Sequence, residues 1–186
     1  MRRHILEMNS GGATPRSELD SHADTCCVGR HSVVLTRTSQ TVRVEGFLPS
    51  LGSVSVPIVT AAIAYVDPHT MQTFVLIVNQ ALYFKHMETN LLCPNQLRHF
   101  GVIVNDSPLY FLSDNERTVE SHRIIVPQPP LAIDLKLNGV VSYFESRRPT
   151  TEELDGVGAT HIEITSDAQW DPYDPRLFAD EEKLRR

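Results

Sequence analysis

The chain has 186 residues, of which 41% are hydrophobic, so it can bury the core of one ordinary domain and still carry an extension. Its formal net charge of −6 argues against nucleic acid as the main partner of the domain. Its apolar stretches are far shorter than a membrane span, and we find no apolar signal-peptide core near the N-terminus. We therefore expect a cytoplasmic protein with no membrane partner.

Charge and cysteine are both unevenly distributed. Residues 151–186 contain ten acidic and four basic side chains, so the whole net charge of −6 belongs to the C-terminal tail. The three cysteines are Cys26, Cys27 and Cys93. An odd number with two adjacent members is no disulfide framework, which fits a reducing compartment.

The first third of the chain predicts a flexible lead-in and then β-strands. Residues 1–16 contain turn formers and no periodic pattern, and a strand end follows at 17–20. A further strand is predicted at 32–36. Polar and apolar side chains then alternate at 41–45 and again at 53–56, which predicts a β-hairpin with a long, mobile tip.

The middle of the chain continues with strands and one helix. The β-branched runs 58–66 and 73–78 each lie between turn signals and predict strands. A short helix is predicted at 94–100, ending at Gly101. Strand-like segments follow at 102–104 and 109–112.

The pattern is less regular after residue 115. Strands are predicted at 122–126 and 131–137, separated by a proline-rich break, and residues 149–154 have the pattern of a capped helix start. The segment after Gly156 is acidic and contains Pro172 and Pro175, which predicts mostly disorder. Short strands dominate the total, so the fold class is all-β with one short helix.

The densest group of reactive side chains is the segment Asp20-Ser21-His22-Ala23-Asp24-Thr25-Cys26-Cys27. It comes directly after a predicted strand end, where polar residues held by a β scaffold often form a site. The alternative interpretation is an ordinary surface turn, because Asp and Ser are good turn formers.

The order of these residues resembles the active-site loop of retroviral-type aspartic proteases. There a hydrophobic residue leads into Asp-Ser/Thr-Gly-Ala, and here Leu19 precedes Asp20-Ser21-His22-Ala23. A second segment, Asn90-Leu91-Leu92-Cys93-Pro94-Asn95-Gln96-Leu97, resembles the paired apolar residues, small residue and helix that close that fold. Its form is most similar to the copia-type retrotransposon proteases. The resemblance covers residues 17–112, and the predicted hairpin lies where that family has its flap.

The resemblance implies a retropepsin-like closed β domain at 17–115. The remaining divisions are a lead-in at 1–16, an extension at 116–150 and a partly disordered tail at 151–186. It also implies an endopeptidase that processes retroelement polyproteins, acts as a homodimer on a polypeptide substrate and needs no metal or cofactor.

The resemblance further implies a role for each residue that matches the motif. Asp20 would be the catalytic carboxylate, one from each subunit, and Ser21 would bond across the dimer. Asp24 would hold the substrate backbone or an arginine of the partner subunit, with Ala23 completing the loop. The hairpin-tip residues would cover the substrate: Phe47, Leu48 and Leu51. Leu91 and Leu92 would pack beneath the loop.

One departure from the family pattern bears on activity. The family has glycine after the serine, where this chain has His22. Glycine serves where the backbone approaches a substrate closely or adopts a conformation that other residues avoid. An imidazole there could crowd the cleft or add positive charge, so an inactive retropepsin-like interaction domain is the alternative.

Two further readings of the cluster belong to other classes of protein. His22, Asp24, Cys26, Cys27 and His31 offer five possible metal ligands, although none has zinc-finger spacing. A cysteine protease would need a distant His and Asn that the sequence does not identify. In the tail, Trp170 belongs either to a docking peptide or to a turn packed on the domain.

Overall fold

The computed structural model describes residues 14–45 and 52–184. It is mostly β, with 44% strand and 12% helix, which confirms the predicted β-rich class. The helical part consists of three short helices, where the sequence predicted one. None of the helices in the described ranges is long and apolar enough to cross a membrane.

The structure contains twelve strands and three helices in its described parts. The strands are Arg16–Leu19 (β1), Cys27–Val28 (β2), Val33–Glu45 (β3), Ser53–Val66 (β4), Thr73–Tyr83 (β5), Asn90–Leu92 (β6), Ile103–Asn105 (β7), Arg123–Val126 (β8), Leu131–Asp134 (β9), Lys136–Asn138 (β10), Val141–Glu145 (β11) and Ala159–Glu163 (β12). The helices are Pro94–His99 (α1), Thr151–Leu154 (α2) and Pro175–Leu184 (α3).

Nine strands form the main sheet, in the order β10-β11-β1-β6-β2-β5-β4-β3, with β12 also paired to β5. β3 and β4 form the long antiparallel hairpin that the alternating pattern predicted. The predicted tip of that hairpin lies at 46–51, outside the described residues. The sequence divided each hairpin strand into two pieces, but β3 and β4 continue through irregular register shifts.

The main sheet is not closed on itself in the described part of the chain. Its path runs from β10 at one end to β3 at the other, and these two strands are not neighbours. β7, β8 and β9 form a separate antiparallel sheet. The predicted closed β domain is therefore corrected to an open nine-stranded sheet with a three-stranded sheet beside it.

One hydrophobic core joins the two sheets and α1. Ile63, Leu76 and Phe144 of the main sheet belong to the same buried cluster as Ile124 of the small sheet and Leu97 of α1. β11, which lies beyond the predicted boundary at 115, pairs with β1. The segment 116–150 is consequently part of the domain, because its strands complete a core that the earlier strands leave open.

The tail also differs from its prediction. The capped helix start is confirmed as α2, where Thr150 and Glu153 form a reciprocal capping box. In place of the predicted disorder, β12 runs parallel to β5, and Ile162 and Ile164 are buried in the common core. The sequence did not predict this strand because the segment is acidic overall. Ile162 in β12 and Ile164 just after it are two residues apart, which places both side chains on one face. Their partner strand, β5, is remote in sequence.

A smaller correction concerns the predicted strand at 109–112. Leu109–Phe111 forms a single 3₁₀ turn instead. Its side chains are exposed and do not belong to the hydrophobic core.

Candidate functional site

The reactive segment is the loop that leaves β1 at Asp20 and returns as β2 at Cys27. β6 lies between these two strands, parallel to β1 and antiparallel to β2. Leu19 is opposite Leu92, and Cys27 is opposite Leu91. The two motifs that resemble the protease family are therefore hydrogen-bonded to each other in one sheet.

Asp20 is held at both its backbone and its side chain. Its amide donates a hydrogen bond to the carbonyl oxygen of Leu92, 3.0 Å away. Its carboxylate Oδ1 accepts from the amide of His22 at 2.9 Å, and its carbonyl accepts from the amide of Ala23 at 3.2 Å. This tight turn restricts the direction of the carboxylate, which remains only half-buried.

His22 contributes its backbone amide to the turn, while its imidazole points away from any partner. The residue is exposed and is not among the residues with positive φ. The turn therefore does not need glycine for its conformation. Within the described residues, the imidazole forms no hydrogen bond or ion pair, so it is free to reach a bound molecule or a second subunit.

Ser21 and Asp24 lie at the exposed side of the same loop. The hydroxyl of Ser21 has no hydrogen-bond partner in the part of the chain that the structure describes. The carboxylate and carbonyl of Asp24 are contacted by the C-terminal tail, as described below. Phe47, Leu48 and Leu51, predicted to cover a substrate, lie outside the described residues.

A buried amide supports the loop from beneath. Oδ1 of Asn90 accepts from the amide of Gly29 at 2.9 Å, and Nδ2 of Asn90 donates to Oγ of Ser17 at 3.2 Å. Ser17 Oγ is also 2.8 Å from Oγ of Ser146 on the segment after β11. Asn90 thus joins the strand before the loop to the residues after it.

Sequence reasoning missed Gln96, a buried residue of α1. Its Oε1 accepts from the amide of Cys26 at 2.7 Å, and its Nε2 donates to the carbonyl oxygens of Asn79 and Gln80. The side chain therefore connects the end of the loop to β5. A polar residue on the buried face of a short helix was the only signal in the sequence, and it does not reveal the partner.

The three thiols have raised pKa values and low reactivity. Burial raises the pKa of Cys27 to about 12, and the nearby charges of Asp24 and Asp20 raise it further. Burial also raises the pKa of Cys26 and of Cys93 above the ordinary value of 9.0. Thiols of this kind stay protonated at neutral pH, so they are poor nucleophiles and poor metal ligands.

The metal-binding alternative finds no support in the geometry. Across residues 14–45 and 52–184, no three His, Cys, Asp or Glu side chains are grouped so that they could hold a metal ion. Cys26 is instead part of the core, where its sulfur accepts a hydrogen bond from the amide of Cys93 at 3.2 Å.

A groove of about 500 Å³ lies between the half of the β3–β4 hairpin nearer its tip and the end of β5. Its walls come from β3 and β4 on one side and from the end of β5 with the following loop on the other. The lining is mainly apolar, and Arg37 lies over the ring of Tyr83 at 5.5 Å. Because Tyr83 is opposite Val28 in the β2–β5 pairing, the groove begins close to the strand that ends the reactive loop.

Residues that line the groove include Arg37, Val54, Val56, Pro57, Tyr83 and Met87.

The C-terminal tail contacts the same loop. Nε1 of Trp170 donates to the carbonyl oxygen of Asp24 at 2.8 Å, and the Trp170 ring lies 5.3 Å from the ring of His99. The hydroxyl of Tyr173 is 3.4 Å from Oδ2 of Asp24. Of the two interpretations of Trp170, the structure supports the turn packed on the domain.

No protein-family model, curated protein or solved structure matches the chain. The motifs and the geometry of the loop are therefore the basis of the functional proposal.

Proposed function

We propose that the chain is an aspartic endopeptidase of the retropepsin type, with Asp20 as its catalytic carboxylate. The observation that carries this proposal is the direct bond between the two motifs, from the amide of Asp20 to the carbonyl of Leu92. Together with the turn from His22 to Asp20 Oδ1, it holds a carboxylate at the surface on a rigid base. Preorganised, partly exposed acids of this kind suit general acid–base chemistry.

The chemistry needs a second carboxylate, which the proposal takes from a second copy of the chain. Two carboxylates a few ångströms apart cannot both ionise, so the pair shares one proton. The ionised Asp20 would accept a proton from a water that attacks the peptide carbonyl. The protonated Asp20 would donate its proton to the carbonyl oxygen.

A homodimer with the two loops on its twofold axis would bring the carboxylates together. Support for this arrangement comes from the exposure of Ser21 and from its unpaired hydroxyl within the described ranges. A surface serine beside a catalytic acid could bond to the matching loop and hold both acids in place.

A polypeptide is the proposed substrate, and a retroelement polyprotein is what the family resemblance implies. The apolar groove between the hairpin and the end of β5 is large enough for side chains of an extended peptide. The described hairpin strands leave backbone groups of β3 unpaired along its outer edge, because β3 is the last strand of the sheet path. Such an edge can bond to an extended chain.

The decisive experiment is cleavage of a peptide library by the wild-type chain and by Asp20→Asn. The substitution keeps the size of the side chain and removes its acid–base function, so cleavage should disappear. Asp155→Asn is a matched control, because Asp155 is an exposed residue at the end of α2 and outside the reactive loop. Cleavage by the wild type should also be blocked by a pepstatin-type inhibitor. Retained cleavage in Asp20→Asn would show that the assignment is wrong.

A catalytically inactive interaction domain is the second candidate, and His22 is the observation that favours it. The imidazole occupies the surface beside the carboxylate, where it could exclude a substrate. This candidate predicts a dimer in solution and no cleavage by the wild-type chain.

A further inference from the structure

Residues 165–174 follow β12 and cross to the reactive loop, and we call this segment the strap. Its beginning is anchored in the core through Thr165, which is fully buried. Oγ1 of Thr165 accepts from the amide of Asn79 at 2.7 Å and donates to its carbonyl at 2.9 Å. Nδ2 of Asn79 donates to the carbonyl of Thr165 at 3.0 Å. These three hydrogen bonds fix the beginning of the strap to β5.

The far part of the strap is held more weakly. Its contacts with the loop are the hydrogen bond from Trp170 and the long hydrogen bond from Tyr173, both to Asp24, and the Trp170 ring also contacts His99 at the end of α1. Tyr173 is 70% exposed, so water competes for its hydroxyl. Between base and tip the strap touches β5 through one bond, from Nε2 of Gln80 to the carbonyl of Asp167 at 3.3 Å.

This difference in strength determines how the strap can move. A segment with a buried base and an exposed tip opens locally at a small free-energy cost while the rest of the fold stays closed. Its tip also returns readily, because the base keeps it near the loop and gives it a high effective concentration.

We propose that the strap is an autoinhibitory segment that competes with a peptide substrate for Asp24. It rests on the proposed function and on one of the two roles that the family resemblance implies for Asp24, namely holding the substrate backbone. While the hydroxyl of Tyr173 is hydrogen-bonded to Oδ2 of Asp24, it occupies one of the directions from which a peptide amide could donate to that oxygen. Binding of a peptide requires the tip to lift, and the ring of Trp170 then leaves His99.

Trp170 is the single tryptophan of the chain, so its fluorescence reports the position of the strap without any need for activity. The first experiment measures quenching of this fluorescence by acrylamide in the full-length chain. Losing one of the few tip contacts should raise the quenching constant by about twofold in His99→Ala and in Tyr173→Phe. The matched controls His69→Ala and Tyr110→Phe alter exposed side chains elsewhere and should leave it unchanged.

The second experiment measures peptide cleavage by the same variants. Tyr173→Phe should lower KM by about threefold and leave kcat unchanged, because one competing hydrogen bond is removed and the chemistry is not touched. Tyr110→Phe should match the wild type. In Asp20→Asn, which binds without cleaving, adding a peptide that the wild type cleaves should raise Trp170 quenching.

The outcomes separate the two proposals. Equal quenching in wild type, His99→Ala and Tyr173→Phe overturns the strap whether or not the chain is a protease. Cleavage with an unchanged or higher KM in Tyr173→Phe also overturns autoinhibition by the strap, but it does not contradict the protease function. No cleavage by any variant contradicts the protease and the competition together, while the quenching data still decide whether the strap docks.

Discussion

The amide of Asp20 donates a hydrogen bond to the carbonyl oxygen of Leu92 at a distance of 3.0 Å. This bond joins the end of β1 to the end of β6, two strands that lie side by side and parallel. Any shift of β6 would therefore move the reactive carboxylate. The loop depends on the second motif for its position as much as on its own residues.

Gln96 should be important for stability. Gln96→Leu leaves the buried amide of Cys26 without its partner, and an unsatisfied buried donor costs about 1–3 kcal/mol. We expect the free energy of unfolding, measured in urea, to fall by that amount. Asn95→Ala changes an exposed residue of the same helix and should cost much less. Equal losses in the two variants would show that the hydrogen bond from Cys26 to Gln96 contributes no more than an exposed side chain of the same helix.

Dimerisation is a direct prediction of the proposed mechanism. Sedimentation at micromolar concentration should show a dimer. Cleavage should follow a bell-shaped pH profile with its optimum on the acidic side, because one carboxylate must be protonated and the other ionised. A strictly monomeric chain that cleaves peptides would exclude the shared pair. Cleavage that needs a reduced thiol and continues well above neutral pH would exclude carboxylate chemistry.

Replacement of His22 should decide how the departure from the family pattern affects activity. His22→Gly keeps the amide that donates to Asp20 and removes the imidazole, so kcat/KM should rise by about tenfold, equal to about 1.4 kcal/mol of barrier. His22→Ala is the matched control for backbone flexibility, and it should give most of the same increase. A gain that is larger at acidic than at neutral pH points to the charge of the imidazole, and a constant gain points to its bulk. Loss of activity in both variants would show that the imidazole has a positive role.

The ion pair between Glu153 and Arg147 predicts how stability depends on pH. The Arg147 guanidinium donates to the carboxylate at 2.8 Å and lowers the pKa of Glu153 from 4.5 to about 2. A lowered pKa stabilises the folded chain above about pH 4.5, and this contribution is lost as pH falls from 4.5 through 2.

Glu153→Gln should therefore reduce the free energy of unfolding at neutral pH by about 1 kcal/mol, a value kept small because solvent screens the half-exposed Arg147. The difference from the wild type should shrink as pH falls from 4.5 through 2, because the wild-type carboxylate becomes protonated over that range. Thermal or urea unfolding at several pH values measures it. Glu152→Gln, on the exposed side of the same helix, should show no such dependence.

The C-terminal strand should be as protected as the strand beside it. Amides of β12 bond to β5 and lie over the common core, so their hydrogen exchange should be slow. Residues 166–174 should exchange faster, because most of that segment is exposed. Fast exchange throughout 159–174 would instead support the disorder that the acidic composition predicted.

The local sequence pattern was sufficient to predict an element wherever the segment has its own periodicity or its own capping residues. Alternating side chains predicted the β3–β4 hairpin, and the capping pair Thr150 and Glu153 predicted the start of α2. The segment around Pro94 predicted α1, which ends before Gly101, a residue with φ of 89°. These features depend on neighbours in the chain, so the sequence alone contains their cause.

Partners that are remote in sequence could be assigned only from the tertiary structure. The sequence placed Asp20 in a candidate site and Asn90 in a second motif, but nothing local shows that Asn90 bonds to Gly29 or that Gln96 bonds to Cys26. The same holds for Trp170, whose bond to Asp24 depends on β12 joining the sheet beside β5. The sequence of a segment shows its charge and polarity. A buried hydrogen bond between distant residues depends on which strands lie side by side, and packing of the whole core determines that arrangement.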